Sequence, residues 1–342
     1  MTLAAKGVTG HDVARQAGVS QSTVSLVLSG KAAGRVSPPI QARVREAAAE
    51  LRYVPNAAAR ALRGRASRAI GMVVPDVTNS FLGRVLRGCQ GRAREAGYTV
   101  VLQEPIGDLA WQLSSLELLQ RTAVDGWLLF AVEPLGAADS AAVGPIVAVD
   151  AQHPGLPSVV LDVAGGTDAA MVHLLELGHV RIAHLAAEVD AWTFRVRAER
   201  WGAALDRAGV ARAAEARTPF SLDEARAAAH RLLRDARARP SAIFCDDDLL
   251  AAGVYLAAAE LGLSVPGDLS VVGFAGTLAG DILVPALTTV VAPAEQLGER
   301  AMEVMLARLE GGPTADRVEL PVRLEPRAST GPVGPAAAPS SP

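Results

Sequence analysis

The chain has 342 residues, half of them hydrophobic and a fifth charged, which is enough to bury a sizeable core and excludes a disordered or fibrous class. Its formal charge of −3 points to no special partner for the whole, yet residues 1–68 carry 11 Lys or Arg against 3 acidic residues, a net +8 that leaves −11 for the remainder. That asymmetry predicts a basic module for nucleic acid or membrane joined to an acidic globular body, and the length predicts two to three domains.

Cys89 and Cys245 are the only cysteines and lie far apart, so no disulfide framework is predicted and a reducing compartment fits. The opening MTLAAKGVTGHDVARQ lacks the unbroken apolar core of a signal peptide, and no later stretch approaches ~18 apolar residues without a charge or a breaker. The expectation is a soluble cytoplasmic protein with no membrane partner.

In chain order, Thr9 and Asp12 have the spacing of a capping box, and Val13, Ala14 and Ala17 form the apolar stripe of a short helix ended at Gly18. Ser20 caps a second helix, Gln21 to Ser29, with Val24 and Val27 facing inward and Gln21, Ser22 and Ser25 facing out. Ala14, Gly18 and Val24 sit where two crossed helices need a small contact, a tight turn and a buried knob, so the pattern is a helix-turn-helix. A third helix starts at Ser37-Pro38, where the missing N–H of proline costs nothing, and ends near Arg52. Three short helices also describe a plain bundle; the local excess of Lys and Arg and the order of the elements favour a DNA reader. The start of the second helix then enters the major groove, with Gln21 and Ser22 at base edges and Ser20, Thr23 and Ser25 toward phosphate. Arg35, Arg43, Arg45 and Arg52 are backbone contacts or solvated surface charges.

At residues 64–68, GRASR, the pattern changes to apolar runs separated by Gly, Pro and Asp, which marks a domain boundary. Runs at 69–75, 98–103, 126–131, 145–150, 181–187, 241–246 and 270–275 read as buried strands. Segments of helical period lie at 81–96, 111–122, 166–177, 197–208, 222–235 and 248–261. The alternation predicts an α/β fold with parallel sheets covered on both faces. Residues 69–330 exceed one usual domain, so two similar lobes with a cleft are expected: about 69–163 with 291–320, and about 164–290 with 321–330. A helix at 294–310 and a single strand at 318–325 return over the hinge, and the Pro/Ala/Ser tail 331–342 is expected to be disordered.

Other chemistry finds little support. Asp246-Asp247-Asp248 invites a divalent cation, but consecutive side chains point different ways, and the run opens a helix, whose positive end attracts carboxylates. The six histidines form no HExxH, and none pairs with Cys at zinc spacing; GxSxG, a Walker loop and GxGxxG are missing. Cys245 reads as a buried, inert thiol. No cofactor, metal or enzymatic activity is expected.

The stretch VTGHDVARQAGVSQSTVSLVLSG, then RVS, then LRYVPNAAARALRGRASRAIGMVVPDVTNSF resembles the start of the LacI/GalR family of bacterial transcription regulators. The likeness continues through LLELGHVRIAHL (174–185), SAIFCDDDLLAAG (241–253), VPGDLSVVGF (265–274) and LGERAMEVML (297–306), and so reaches Ser329-Thr330. The resemblance implies a helix-turn-helix headpiece over 1–55, a hinge helix and linker over 56–68, and a two-lobed body of the periplasmic-binding-protein type. It also implies a homodimer on a near-palindromic operator, and a small effector, a sugar or related metabolite, held between the lobes. Such a protein is most often a repressor. A transporter's solute-binding protein shares the body and an activator without a small ligand shares the head; the basic headpiece and the missing leader argue against the first.

The implied hinge helix is Asn56 to Arg63. Pro55 bars continuation of the preceding helix, and eight residues are too few for a stable isolated helix, so folding on contact with DNA is expected. Leu62 matches the family's leucine that wedges into the minor groove. Thr9, Ser37, Tyr53, Asn56 and Arg60 join the expected DNA contacts. Leu26 departs from the arginine that the family often carries there, and offers only apolar contact, for example with a thymine methyl; Arg35 is placed to compensate. By residue-wise match, Asp76, Phe81, Asp150, Asp162, Arg197, Phe220, Asp247 and Ala275 fall at effector-contacting positions, with capping or hinge hydrogen bonding as the other reading of Asp76, Asp162 and Asp248. Ala275-Gly276 stand where the family commonly has Asp, and Asp247 where Asn is usual. The exchange removes acceptors at one wall and adds charge at another, which fits a less hydroxylated, cationic ligand.

Overall fold

The computed structural model describes residues 8–53, 67–104, 122–131, 143–212 and 214–333. The expected hinge helix with Asn56, Arg60 and Leu62, nearly all of the helix expected at 111–122, and the tail beyond 333 lie outside them. The chain divides into two compact units, Met1–Arg68 and Ala69–Pro342.

In the first unit, α1 (Gly10–Ala17), α2 (Gln21–Leu28) and α3 (Pro38–Glu50) surround a small core. The backbone N–H of Thr9 donates to Asp12 Oδ2 at 3.0 Å and the Thr9 hydroxyl to the same oxygen at 2.7 Å, which starts α1. Gly18, at φ 63°, ends it with the six-to-one bond of a Schellman turn, Val19 N–H to Ala14 O at 3.0 Å. Ser20 Oγ accepts from Thr23 N–H at 3.2 Å and starts α2. Val13, Val24, Val27 and Val44 are almost wholly removed from solvent, each contributing ~1.5–3 kcal/mol to a unit with few other core residues.

The second unit opens with β1 (Ala69–Val73), α4 (Ser80–Glu95), β2 (Thr99–Gln103), β3 (Gly126–Phe130), β4 (Ile146–Val149) and β5 (Ser158–Leu161). It continues through α5 (Val163–Glu176), β6 (Ile182–Ala187), α6 (Trp192–Arg207), β7 (Glu215–Thr218), α7 (Leu222–Leu233), β8 (Ala242–Cys245), α8 (Asp248–Glu260) and β9 (Ser270–Ala275). The short α9 (Leu278–Asp281), β10 (Thr288–Val291), α10 (Ala294–Leu309), β11 (Arg317–Leu320) and β12 (Arg323–Glu325) complete it. One sheet runs β2-β1-β3-β4-β5-β11 and the other β7-β6-β8-β9-β10-β12. Neighbours are parallel except β10 and β12. In each sheet the strand order reverses beside its first strand, between β1 and β3 and between β6 and β8. At such a reversal in a parallel sheet the connections generally leave toward opposite faces and open a crevice at the carboxyl ends of the strands.

Two expectations are corrected. The run 98–103 is not a buried strand: β2 is the edge of its sheet, with only β1 beside it, and Val101 and Leu102 are exposed. Nor is 318–325 one strand. Pro321 lacks the N–H that a ladder needs, and the chain changes sheets there, β11 running parallel to β5 and β12 antiparallel to β10.

The chain passes between the sheets after β5, after β10 and at Pro321. After the second passage α10 packs on α4 through two glycines. A Cβ on Gly88 would lie 2.0 Å from the Glu295 carbonyl oxygen, and one on Gly298 1.9 Å from that of Val85. The Cys89 thiol fills the seam and donates to Gly298 O at 3.3 Å, and burial pushes it up to about 12. Among the described residues no helix is long and apolar enough to cross a membrane.

Candidate functional site

The first unit presents the start of α2 to solvent. Gln21 and Ser22 are exposed, Thr23, Ser25 and Leu26 half-buried, and Val24 and Val27 turn into the core. Ser20 Oγ lies 2.7 Å from Ser22 Oγ and 2.9 Å from Thr23 Oγ1, so these hydroxyls form one cluster at the helix start. Tyr53 packs against the core, and its hydroxyl lies 3.0 Å from where a Cβ on Gly10 would sit, with the Gln21 amide 3.7 Å from the same point. Gly10 therefore leaves room for Tyr53 and Gln21 together. Ser37 begins α3 and is exposed, as are Thr9, Arg35, Arg43, Arg45 and Arg52. The exposed helix start carries a fixed partial positive charge and no acidic residue in its first turn, a surface suited to a polyanion.

In the second unit a cavity of about 290 Å³ opens where the carboxyl ends of the two sheets face each other. Asp76 follows β1, Phe81 lies in the first turn of α4, and Asp150 follows β4. From the other sheet come Arg197 of α6, Phe220 after β7, Asp247 after β8 and Ala275 at the end of β9. Seven of the eight expected positions thus line one cavity. Asp162 does not: its Oδ1 accepts the Gly165 N–H at 2.8 Å and caps α5, the alternative that the sequence reading held open. Asp76 lines the cavity and also holds its own loop, since its Oδ1 accepts from the Thr78 N–H at 2.8 Å and the Thr78 hydroxyl at 2.6 Å.

The backbone is strained around this space. Five described residues other than glycine have positive φ, and three of them line the cavity: Ala131 at 48°, Asp150 at 51° and Ala275 at 102°. Such conformations cost of order 1–3 kcal/mol each and persist where the surroundings enforce them, characteristically at ligand sites.

Arg197 is the buried centre of the cavity wall. Its guanidinium donates to the Asp246 carbonyl oxygen and, at 3.2 Å, to the Thr193 hydroxyl. Its carbon lies 3.8 Å from the Phe274 ring centre and 4.9 Å from that of Phe194. Nε has no hydrogen-bond partner. Burial lowers its pKa from the ordinary arginine value, against the pull of Asp246 and Asp150.

The three consecutive aspartates serve three different partners. Burial would raise Asp246, but the charge and hydrogen bond of His184 outweigh it and hold the carboxyl below its usual range; His184 Nε2 and Ala187 N–H each lie 2.9 Å from it. Asp247 is pushed up to about 7 by burial and then by Asp248, and its Oδ1 caps α8 through Leu249 N–H at 2.7 Å. Asp248 is pushed up to about 6 by burial and ties Thr277 to Thr289, whose hydroxyl donates at 2.6 Å. Asp150 rises to about 7 by burial, opposed by Arg197 and the Thr193 hydroxyl, and its Oδ1 is unpartnered. Burial raises the Cys245 thiol well above its ordinary value, which leaves it inert. Among the described residues no group of His, Cys, Asp and Glu is arranged to hold a metal ion.

Sequence reading missed Asn79, Phe130, Glu188, Val189, Phe194 and Phe274, which also line the cavity. Most stand at or just beyond a strand's carboxyl end, so counting outward from every strand would have found them.

Residues 9–56 match the model for bacterial regulatory proteins of the lacI family, and residues 171–330 that for a periplasmic binding protein-like domain. The ribose operon repressor of Escherichia coli (strain K12) is 34% identical over 317 residues, covering 88% of this chain and 93% of its own. This chain belongs to the LacI family. The HTH-type transcriptional regulator DegA of Bacillus subtilis (strain 168) is 33% identical over 94% of this chain and 98% of its own. The Lac repressor dimer bound to operator and the anti-inducer ONPF superposes with a TM-score of 0.84 at 29% identity, covering 95% of this chain and all of that one. A LacI family regulator from Enterococcus faecium with bound ribose superposes with a TM-score of 0.70 at 28% identity, covering 78% of this chain and all of that one. The LacI-family chain is a DNA-binding transcription regulator under ligand control, and the relatives named above are transcription repressors or regulators rather than enzymes.

Proposed function

We propose that the chain is a homodimeric repressor that grips a near-palindromic operator with two headpieces and is released or tightened by a small metabolite, a sugar or a related compound, held between the lobes of its body. The reading is carried by the cavity at the carboxyl ends of both sheets, with strained backbone on three of its walls and Arg197 unsatisfied within it. A ligand that touches both lobes favours their closed arrangement by its differential affinity, and about 1–3 kcal/mol of coupling changes operator affinity roughly 5- to 150-fold.

Base reading falls to Gln21, Ser22 and Leu26, phosphate contact to Thr9, Ser20, Thr23, Ser25, Arg35, Ser37 and Tyr53, and the hinge to Asn56, Arg60 and Leu62. Effector contact falls to Asp76, Phe81, Asp150, Arg197, Phe220, Asp247 and Ala275. Dimerisation is supported by Leu278, Ile282 and Val284, exposed at 71%, 70% and 90% within seven residues, an apolar patch of the kind that marks a protein interface. The Lac repressor's operator-bound dimer supports the same assembly. The place of action is the cytoplasm, on the nucleoid when operator is bound.

DNase footprinting of the full chain on its own upstream DNA, with and without a metabolite panel, tests this reading. The expected result is a symmetric protected site whose occupancy changes with one class of metabolite, and a response that disappears in Arg197→Ala. Absence of any protected site at low salt overturns it.

A further inference from the structure

The polar groups of the cavity are unbalanced in charge. Asp76, Asp150, Glu188 and Asp247 line it, and Arg197 is the one cation among its described lining residues. Arg197 spends one N–H each on the Asp246 carbonyl and the Thr193 hydroxyl and lays its faces against Phe274 and Phe194. Asp150 is 5% exposed and its Oδ1 has no partner, while Asp247 is 9% exposed and spends one oxygen on the Leu249 N–H. Buried carboxylates that share a single counter-charge are costly, and a further cation beside them lowers that cost.

Side-chain donors are confined, among the described residues, to one cation and one amide. A sugar hydroxyl both donates and accepts, so a polyol needs donors as well as acceptors around it. Among the described residues the lining side chains offer the N–H groups of Arg197 left over from Asp246 and Thr193, and the amide of Asn79, whose oxygen already caps α4 through Phe81 N–H at 2.9 Å. Ala275, where the wall is strained toward the space, offers none. The remaining surface is aromatic, with Phe81, Phe130, Phe194, Phe220 and Phe274 around the space, and ring faces attract cations. The volume of about 290 Å³ lies at the small end of ligand pockets, which run ~300–1,000 Å³.

We infer that the effector is a compact metabolite with a protonated amine and few hydroxyls, such as an arylalkylamine, whose cation is received by Asp150 and Asp247 while its body lies against the phenylalanines. The inference rests on the cavity's being the effector site and names the chemical class that the site takes.

The test is calorimetry on the full-length chain with matched pairs that differ only in amine against hydroxyl or its equivalent: glucosamine and glucose, mannosamine and mannose, phenethylamine and 2-phenylethanol, tyramine and 4-hydroxyphenethyl alcohol, with ribose and hypoxanthine added. The expected result is that at least one amine binds more than about tenfold tighter than its neutral partner, as close charge pairs in desolvated sites do. In Asp150→Asn, and independently in Asp247→Asn, that ratio shrinks toward one. A neutral sugar or hypoxanthine binding more tightly than every amine overturns the inference, as does a panel in which no amine exceeds its neutral partner. Footprinting separates the two proposals: a footprint that responds to glucose or ribose, or one that no bound amine changes, keeps the repressor reading and sinks the amine, whereas the lack of any protected site at low salt sinks the repressor reading.

Discussion

His184 Nε2 and the Asp246 carboxylate lie 2.9 Å apart with neither side chain reaching solvent, and the main-chain carbonyl of the same Asp246 accepts from Arg197. The pair therefore holds the loop after β8 that aims Arg197 at the cavity. The imidazole is itself fixed, stacked on Phe244 at 5.5 Å and tilted against Trp201 at 5.3 Å. Removing one partner strands the other in the core, which typically costs ~3–5 kcal/mol. His184→Ala is expected to lose about that much in urea unfolding, whereas joint replacement by His184→Leu and Asp246→Leu recovers most of it. Equal losses for the single and double variants would show that packing, not charge, dominates there.

Stability should fall as the pH rises through neutrality. Asp150 and Asp247, at about 7, and Asp248, at about 6, all lie above the ordinary 3.8 of an unfolded aspartate because burial disfavours their charge. A group raised in this way contributes stability that is full below the unfolded value and is lost as the pH climbs through the folded one. Asp246 has the opposite sign: its lowered value makes a contribution that is present above 3.8 and disappears only in acid. The groups facing Asp150 and Asp247 are Arg197, Asp246 and Asp248, so no counter-cation beyond Arg197 offsets the trend. The thermal midpoint of the ligand-free protein is expected to drop between pH 5 and pH 8, and to drop less in Asp150→Asn or Asp247→Asn. A flat profile in the unsubstituted chain contradicts this account.

The head was legible because local signals agree there. Thr9, Ser20 and Ser37 mark helix starts, Gly18 marks a stop, and the apolar residues keep one period, so every boundary follows from neighbours in sequence. The alternating body was legible for the same reason, and residue-wise likeness placed seven cavity residues. What escaped depends on tertiary position. YTVVLQ is apolar enough for a core strand, and only the strand order makes β2 an edge. Pro321 signals a break, but the transfer of the chain to the other sheet follows from where β5 and β10 end. Asp162 and Asp247 both precede helices, yet only the second also faces the cavity, a distinction that their flanking residues do not encode.

Two glycines in α4 should respond with opposite signs to the same substitution. Alanine normally stabilises a helix interior over glycine by roughly 0.5–1 kcal/mol, and Gly91, with nothing within 4 Å of its missing Cβ, should follow that rule. Gly88 faces the main chain of α10, and the carbonyl of Glu295 cannot give way without moving a helix. Gly88→Ala, like Gly298→Ala on the other side of the seam, is expected to destabilise by ~1–3 kcal/mol or more. Urea denaturation of Gly88→Ala and Gly91→Ala checks the contrast, and a stabilised Gly88→Ala would mean that the helices slide apart at little cost.

Gln21 and Arg35 should fail in different ways on DNA. Gln21 is exposed at the first position of α2, its amide beside the Tyr53 hydroxyl, and a glutamine so presented in the major groove pairs with adenine through two hydrogen bonds. Gln21→Ala is therefore expected to cost ~1–3 kcal/mol on the preferred operator, and to cost little on operators changed at one base pair in each half-site, so that discrimination at that position collapses. Arg35, exposed in the loop before α3, is proposed to meet phosphate, which carries no sequence information. Arg35→Ala should weaken binding evenly across operators and reduce the slope of log affinity against log salt by about one unit. Titrations of both variants against a set of single-pair operator changes at several salt concentrations separate the roles. A uniform loss with a shallower salt slope for Gln21→Ala would move that residue to the backbone and leave base reading to Ser22 and Leu26.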